Sequence, residues 1–172
     1  MLIGETVCLG PILAGDAPKL FNWLNTLGLA HCNGAYRPMD EGRFNGWLAG
    51  FSDDPGRVIF AIRRQGDLRL MGYLQLTGID PVARAAELGV LIGDAADRGH
   101  GFGQAALSLA IRFCWRDLNL RRLGLSVIGD NPRAIAAYAR TGFEIEGVRR
   151  QAAYVDGRFV DVTVMGLLRG DG

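Results

Sequence analysis

Charge of one sign is what this sequence lacks most plainly. Its 172 residues carry nineteen basic and eighteen acidic side chains, a formal net charge of +1, so no broad field favours nucleic acid or an anionic membrane as partner. Long hydrophobic runs are missing too: every apolar stretch is interrupted by Arg, Asp or Gly, and neither a lysine-rich signal region nor a membrane span is read. Cysteine is scarce. Cys8, Cys32 and Cys114 are odd in number and form no CxxC pair, which fits free thiols in a reducing, cytoplasmic setting. With two histidines and three scattered cysteines there is no metal-ligand spacing, and no metal is expected.

What is present describes an ordinary globular chain: 49% hydrophobic and 22% charged residues argue against disorder. A chain of this length reads as one domain over 1–172, able to bury about 70% of its extended surface. Glu5 to Leu13 reads as a strand, and Asp16-Ala17-Pro18 as a helix start with Asp as cap, giving a helix over Ala17 to Leu27. An irregular segment from Gly28 to Met39 precedes a second helix over Asp40 to Phe51, with Phe44, Trp47 and Leu48 at helical spacing. Arg57 to Arg63 and Leu68 to Thr77 are β-type runs joined by Gln65-Gly66-Asp67, a hairpin signal.

The central stretch runs from Leu88 to Ala106, LGVLIGDAADRGHGFGQAA. A short apolar strand ends in a polar, glycine-rich turn that opens a long helix. The first turn of a helix leaves amides without partners and carries partial positive charge, so it attracts phosphate, each contact contributing roughly 0.3–1 kcal/mol. Glycines at 99, 101 and 103 remove the Cβ atoms that would block the approach, and Arg98 adds a planar cationic fork. The turn lacks the Lys of a P-loop and the spacing of a dinucleotide fingerprint. A tight structural turn in an unrelated α/β protein remains the other reading of the glycines alone. Downstream, Arg121 to Val127 reads as a strand, Asn131-Pro132 as a capped helix start, and Gly142 as that helix's end. Val148 to Gln151 and Arg158 to Leu168 read as closing strands around the Asp156-Gly157 turn.

RGHGFG after ELGVLIGD, followed by RRLGLSVIGDNPRAIAAYARTGF, resembles the acetyl-CoA-binding core of the GNAT superfamily of N-acetyltransferases, and the tail EGVRRQAAYVDGRFVDVTVMGLL is similar to its ribosomal-protein N-terminal acetyltransferase branch. The resemblance implies an α/β (α+β) fold: a central mixed, mostly antiparallel sheet of about seven strands, flanked by about four helices, with central strands splayed at the cofactor site. It implies coenzyme A bound by the backbone of Val90, Leu91 and Ile92, by Arg98, Gly99, His100, Gly101, Phe102 and Gly103, and by Asn131 and Arg133. It places Tyr138 near the sulfur as proton donor and offers Glu87 as general base, against a strand-edge salt-bridge partner. His31, Tyr36 and Arg37 in the irregular segment become acceptor contacts, against a plain solvated loop.

A base is needed because only a neutral amine attacks: at pH 7, neutralising an α-amine costs about 1.4 kcal/mol and a lysine amine about 4.6. The cysteines lie outside the motifs, so direct attack in a ternary complex is expected rather than an acyl-cysteine. The acceptor is read as a peptide or protein N-terminal amine or a small-molecule amino sugar, since Met71 to Gly93 also resembles enzymes acting on nucleotide-linked amino sugars. A non-catalytic acyl-CoA-binding or sensing module stays open as the alternative. The apolar strand Val160 to Leu168 could pair across a homodimer.

Overall fold

The computed structural model describes residues 1–33 and 35–170. Its strands are β1 (Leu2–Ile3), β2 (Val7–Gly10), β3 (Val58–Arg64), β4 (Leu70–Asp80), β5 (Ala85–Ile92), β6 (Arg122–Ile128), β7 (Glu144–Val155) and β8 (Arg158–Leu168). They form one eight-stranded sheet in the order β1-β2-β3-β4-β5-β6-β8-β7. Every neighbouring pair is antiparallel except β5 and β6. The helices are α1 (Ala17–Leu24), α2 (Leu27–Ala30), α3 (Glu41–Asp53), α4 (Phe102–Arg116) and α5 (Pro132–Ala139). The strand and the helix beyond the expected numbers are the two-residue β1 and the one-turn α2, both too short to leave a periodic pattern.

Helices cover both faces. Leu107, Ala110 and Cys114 of α4 pack with Leu74, Leu88, Leu123 and Leu125 of the sheet, and α5 adds Ile135 and Tyr138 at the margin. On the other face Leu20 and Trp23 of α1, Leu29 of α2 and Phe44 of α3 pack on Ala61, Tyr73 and Leu91. The alternation of a strand explains the split: Leu88 and Leu91 belong to opposite sides of β5. Burial pushes the Cys114 thiol up to about 12, so it is a core residue without reactivity.

Two sequence expectations are corrected. Asp16 does not cap α1. A 3-10 turn over Ala14–Asp16 leads straight into the helix and holds Asp16 at φ −82°, ψ −23° rather than in the extended conformation a cap needs. Its carboxylate instead accepts from Arg63 of β3, at 3.2 Å (Nη1–Oδ1) and 2.6 Å (Nη2–Oδ2), in a pair that is almost fully buried. The strand expected at Val148 to Gln151 is the middle of the twelve-residue β7. Nearly all of β7 is exposed, so it lacks the alternation that betrays a strand.

Candidate active site

The parallel contact between β5 and β6 is short: Ala85 faces Arg122, Ala86 faces Leu123, and Glu87 faces Gly124, and there the pairing ends. Both strands run on, to Ile92 and Ile128, but apart. The expected splay is therefore present and begins immediately after Glu87. Beyond it the β6-facing backbone edge of β5 has no strand partner.

A cavity of about 520 Å³ fills the gap. Val90, Leu91 and Ile92 form one wall and Ser126 to Ile128 the other. The α4 entrance contributes Arg98, Gly99, Gly101, Phe102 and Gly103, and α5 contributes Asn131, Arg133 and Tyr138. The expected cofactor residues thus converge on one space, except His100, which lies outside the lining and stacks on Phe102 with ring centres 6.0 Å apart.

Local chemistry sets this geometry. Gly101 stands at the N-cap of α4 with φ +81° and no side-chain cap, and a Cβ added there would point into open space. The first-turn amides of α4 are therefore available to a ligand. Arg133 lies across Gly99, its Nη2 2.9 Å from where a Cβ would stand. Arg98 is more brace than free cation, because its guanidinium donates to the carbonyls of Ile92 (3.1 Å) and Gly93. The loop between β5 and α4 is fastened from behind: Asp94 accepts from Trp23 Nε1 (2.9 Å) and pairs with Lys19 (2.7 Å), while Asp97 takes both guanidinium nitrogens of Arg69. These donors hold both carboxyls below the usual range. Asn131 caps α5 as expected, its Oδ1 accepting from the Ala134 amide at 3.0 Å.

Among the described residues the cavity's cations are Arg98, Arg133 and Arg140, and its one carboxylate, Asp97, is engaged by Arg69. An anion with several acceptor oxygens fits this end, and an extended polar arm fits the unpaired edge of β5. The residues present therefore fit coenzyme A.

Tyr138 lies farther in, edge-on to Phe143. Burial, with the Cys32 thiol adding to it, pushes its phenol up to about 12. Cys32, set aside on sequence because it sits in no motif, lines this cavity together with Gly28 and Leu29 of the α2 region. No local pattern could have revealed it, since only the fold brings α2 over the splay.

Glu87 is not part of the cavity lining. It stands at the fork of the splay, on the sheet face opposite α4, with its carboxylate laid over Gly124. Partial burial pushes its carboxyl up, opposed by Arg122 and Arg149 and reinforced by Glu146. Arg122 is itself committed to Glu146 through both guanidinium nitrogens. Of the expected acceptor contacts, Arg37 lines a second, adjoining cavity, whereas His31 and Tyr36 line neither.

Comparison with known proteins agrees with this geometry. The profile of the acetyltransferase (GNAT) domain family matches residues 6–144. Spermidine N(1)-acetyltransferase of Vibrio cholerae is 31% identical over 100 residues, 58% of this chain and 57% of the relative. Ribosomal-protein-serine acetyltransferase of Escherichia coli is 30% identical over 95 residues, 55% of this chain and 52% of the relative. The matches thus span little more than half of either relative. A crystal structure of the V. cholerae spermidine N-acetyltransferase in complex with CoA and spermine superposes with a TM-score of 0.87, at 24% identity, over 94% of this chain and 95% of that one.

Proposed function

The chain belongs to the GNAT acetyltransferase family, and from that premise we propose that it is an acetyl-CoA-dependent N-acetyltransferase that acetylates a primary amine by direct attack in a ternary complex. The observation that carries this reading is the splay between β5 and β6, opening onto an uncapped helix N-terminus at Gly101 on one side and Tyr138 on the other. When bound, acetyl-CoA supplies an electrophilic thioester and a thiol leaving group.

The chain's own groups divide the work. The α4 first-turn amides and Arg133 hold phosphate oxygens, and the free edge of Val90 to Ile92 holds the polar arm and orients the carbonyl; an amide donor of that kind contributes on the order of 2.7–4 kcal/mol. Tyr138, with its phenol near 12, stays protonated throughout the physiological range. Full proton transfer from it to a thiolate of ordinary pKa, about 8.5, climbs roughly 3.5 units, or about 5 kcal/mol. Its hydroxyl therefore serves first as a hydrogen-bond donor to sulfur. Glu87, reaching the fork from the opposite face, takes the proton from the incoming ammonium, and its raised carboxyl lies closer to the amine's own pKa than a free glutamate would.

The acceptor class supported by the tail and hairpin resemblances is a protein N-terminal amine or an amino sugar. The similarity to spermidine N-acetyltransferases makes a polyamine the competing acceptor. A cytoplasmic setting suits the three free cysteines.

Calorimetric titration with acetyl-CoA, comparing the natural chain with Gly101→Val, tests the reading. Valine at φ +81° is strained and fills the open cradle, so binding should be tight in the natural chain and lost in the variant. A natural chain that binds no acetyl-CoA refutes the reading.

A further inference from the structure

A second cavity of about 190 Å³ adjoins the first, walled by Trp23, Leu24, Leu29 and Met39 with Arg37 and Arg43 at its rim. Leu29 and Leu91 line both cavities, so the smaller one opens beside the part of β5 that borders the larger. Its walls are fixed. The Trp23 indole is held by Asp94 at 2.9 Å, and the Asn25 side chain clasps Met39 from both sides, accepting from its amide (2.8 Å) and donating to its carbonyl (3.0 Å).

The charge is one-sided. Among the described residues no carboxylate lines this pocket. Of the carboxylates bonded to its lining residues, Asp94 is held by Trp23 and Lys19, and Asp40 is committed to capping α3, its Oδ1 accepting from the Arg43 amide at 2.8 Å. Neither the Arg37 nor the Arg43 guanidinium has an ion-pair partner among the described residues. Two unengaged guanidinium groups over an apolar floor suit a ligand with a hydrophobic body and an anionic end, because the planar fork binds carboxylate or phosphate oxygens in pairs. At about 30 Å³ per water, the volume holds roughly six waters, the size of a single small residue.

We propose that this pocket is the acceptor subsite and that the acceptor is a primary amine bearing an anionic group, the anion held by Arg37 and Arg43 and the apolar skeleton laid on Trp23, Leu24 and Met39. The proposal rests on the N-acetyltransferase reading and, on the pocket's chemistry, sets an anionic small-molecule amine in place of a protein N-terminus as acceptor. A polyamine would bring its distal ammonium against two unneutralised guanidinium groups, a like-charge juxtaposition that selects against it. The anion could be the carboxylate of a free amino acid or a phosphate of a nucleotide-linked amino sugar. The apolar walls favour the amino acid.

Thiol release with saturating acetyl-CoA should be measured for leucine, methionine, leucinamide, a uridine-diphosphate-linked amino sugar and spermidine, on the natural chain and on Arg37→Gln/Arg43→Gln. Leucine and methionine should be acetylated, leucinamide and spermidine poorly, and the double variant should raise KM for the anionic acceptors at least about tenfold while holding kcat within about twofold. Titration of leucine into the CoA-loaded protein should show binding that the double variant loses. A response confined to the nucleotide-linked sugar assigns the anion to phosphate. Preference for spermidine, or KM values unmoved by the double variant, overturns the proposal. A protein that binds acetyl-CoA but acetylates none of these amines overturns it equally, and only failure to bind acetyl-CoA overturns the parent reading.

Discussion

Replacing Gly124 by alanine moves the Glu87 carboxylate without deleting it. An added Cβ at position 124 would stand 2.3 Å from Glu87 Oε1, 2.9 Å from its Cδ and 3.0 Å from Oε2, with no backbone atom among the near contacts. Ordinary contact begins near 3.4 Å, so the carboxylate must shift by about 3.4 − 2.3 = 1.1 Å. It can, being the tip of a flexible side chain with an exposed flank. A displacement of about 1 Å at a reacting group costs on the order of a hundredfold, and a general base is worth roughly a hundred- to ten-thousandfold. Gly124→Ala should therefore lower kcat about a hundredfold, and Glu87→Gln by at least as much. The double variant should be no worse than Glu87→Gln alone, since moving an absent carboxylate changes nothing. Acetyl-CoA affinity should hold, because Gly124 lies in the paired part of the strands, before the splay. Stability should hold or rise by about 0.5–1 kcal/mol, the usual gain of alanine over glycine in a strand. Thiol release, calorimetry and thermal melts on the three variants decide it. A well-folded Gly124→Ala protein with full kcat would show that Glu87 is not the base, and a melting point well below the natural one would show that the backbone, not the side-chain tip, absorbs the clash.

The other expectations concern the phenol, the pH profile and the buried ion pair. Tyr138→Phe removes one hydrogen bond to a developing charge, worth about 1.5–3 kcal/mol, so kcat should fall roughly ten- to a hundredfold with acetyl-CoA affinity unchanged. Because burial places that phenol near 12, it contributes no alkaline limb to kcat below about pH 10, and an earlier limb abolished by Tyr138→Phe would contradict the assignment. Glu87 must be ionised to accept a proton and its carboxyl is pushed up by partial burial, so kcat should fall on acidification through a pKa above that of an ordinary glutamate, a limb absent from Glu87→Gln. Arg63→Leu strands the Asp16 carboxylate in the interior and should cost about 3–5 kcal/mol, read as a lowered denaturant midpoint; a loss under about 1 kcal/mol would mean the pair does not anchor α1.

What the chain revealed unaided were features written within a few residues. The glycine-rich turn that opens α4, the Asn131-Pro132 cap and the Gly66 and Gly157 turns each depend on local backbone chemistry, and each stands where the residues predict. Features made by distant partners were not legible. Asp16 looks like a cap from its own neighbourhood, and only Arg63, forty-seven residues on, makes it half of an ion pair. Cys32 has no motif around it, yet the turn that follows α2 carries it to the cavity beside Tyr138. Arg37 drew attention because it lies in a loop between helices, and it lines the second cavity. Its companion Arg43, inside α3, carries no sign that it reaches the same pocket.

Why so much converges at one edge follows from the lone parallel contact. Antiparallel neighbours send their carboxyl ends to opposite edges of a sheet, whereas a parallel pair sends both to the same edge. β5 leads into α4 and β6 into α5, so two helix N-termini meet where β5 and β6 end, that of α4 without a side-chain cap and that of α5 capped by Asn131. The length of the pairing then decides whether anything can enter. Had β6 followed β5 to its end, the edge of Val90 to Ile92 would be hydrogen-bonded to a strand and no cavity would form. Instead β6 leaves β5 after Gly124 and stays paired with β8 as far as Ile128. A chain of net charge +1 thereby acquires an anion-seeking site, because Arg133, Arg140 and the uncapped N-terminus of α4 are gathered at one edge while the only carboxylate among the cavity's described residues is already held by Arg69.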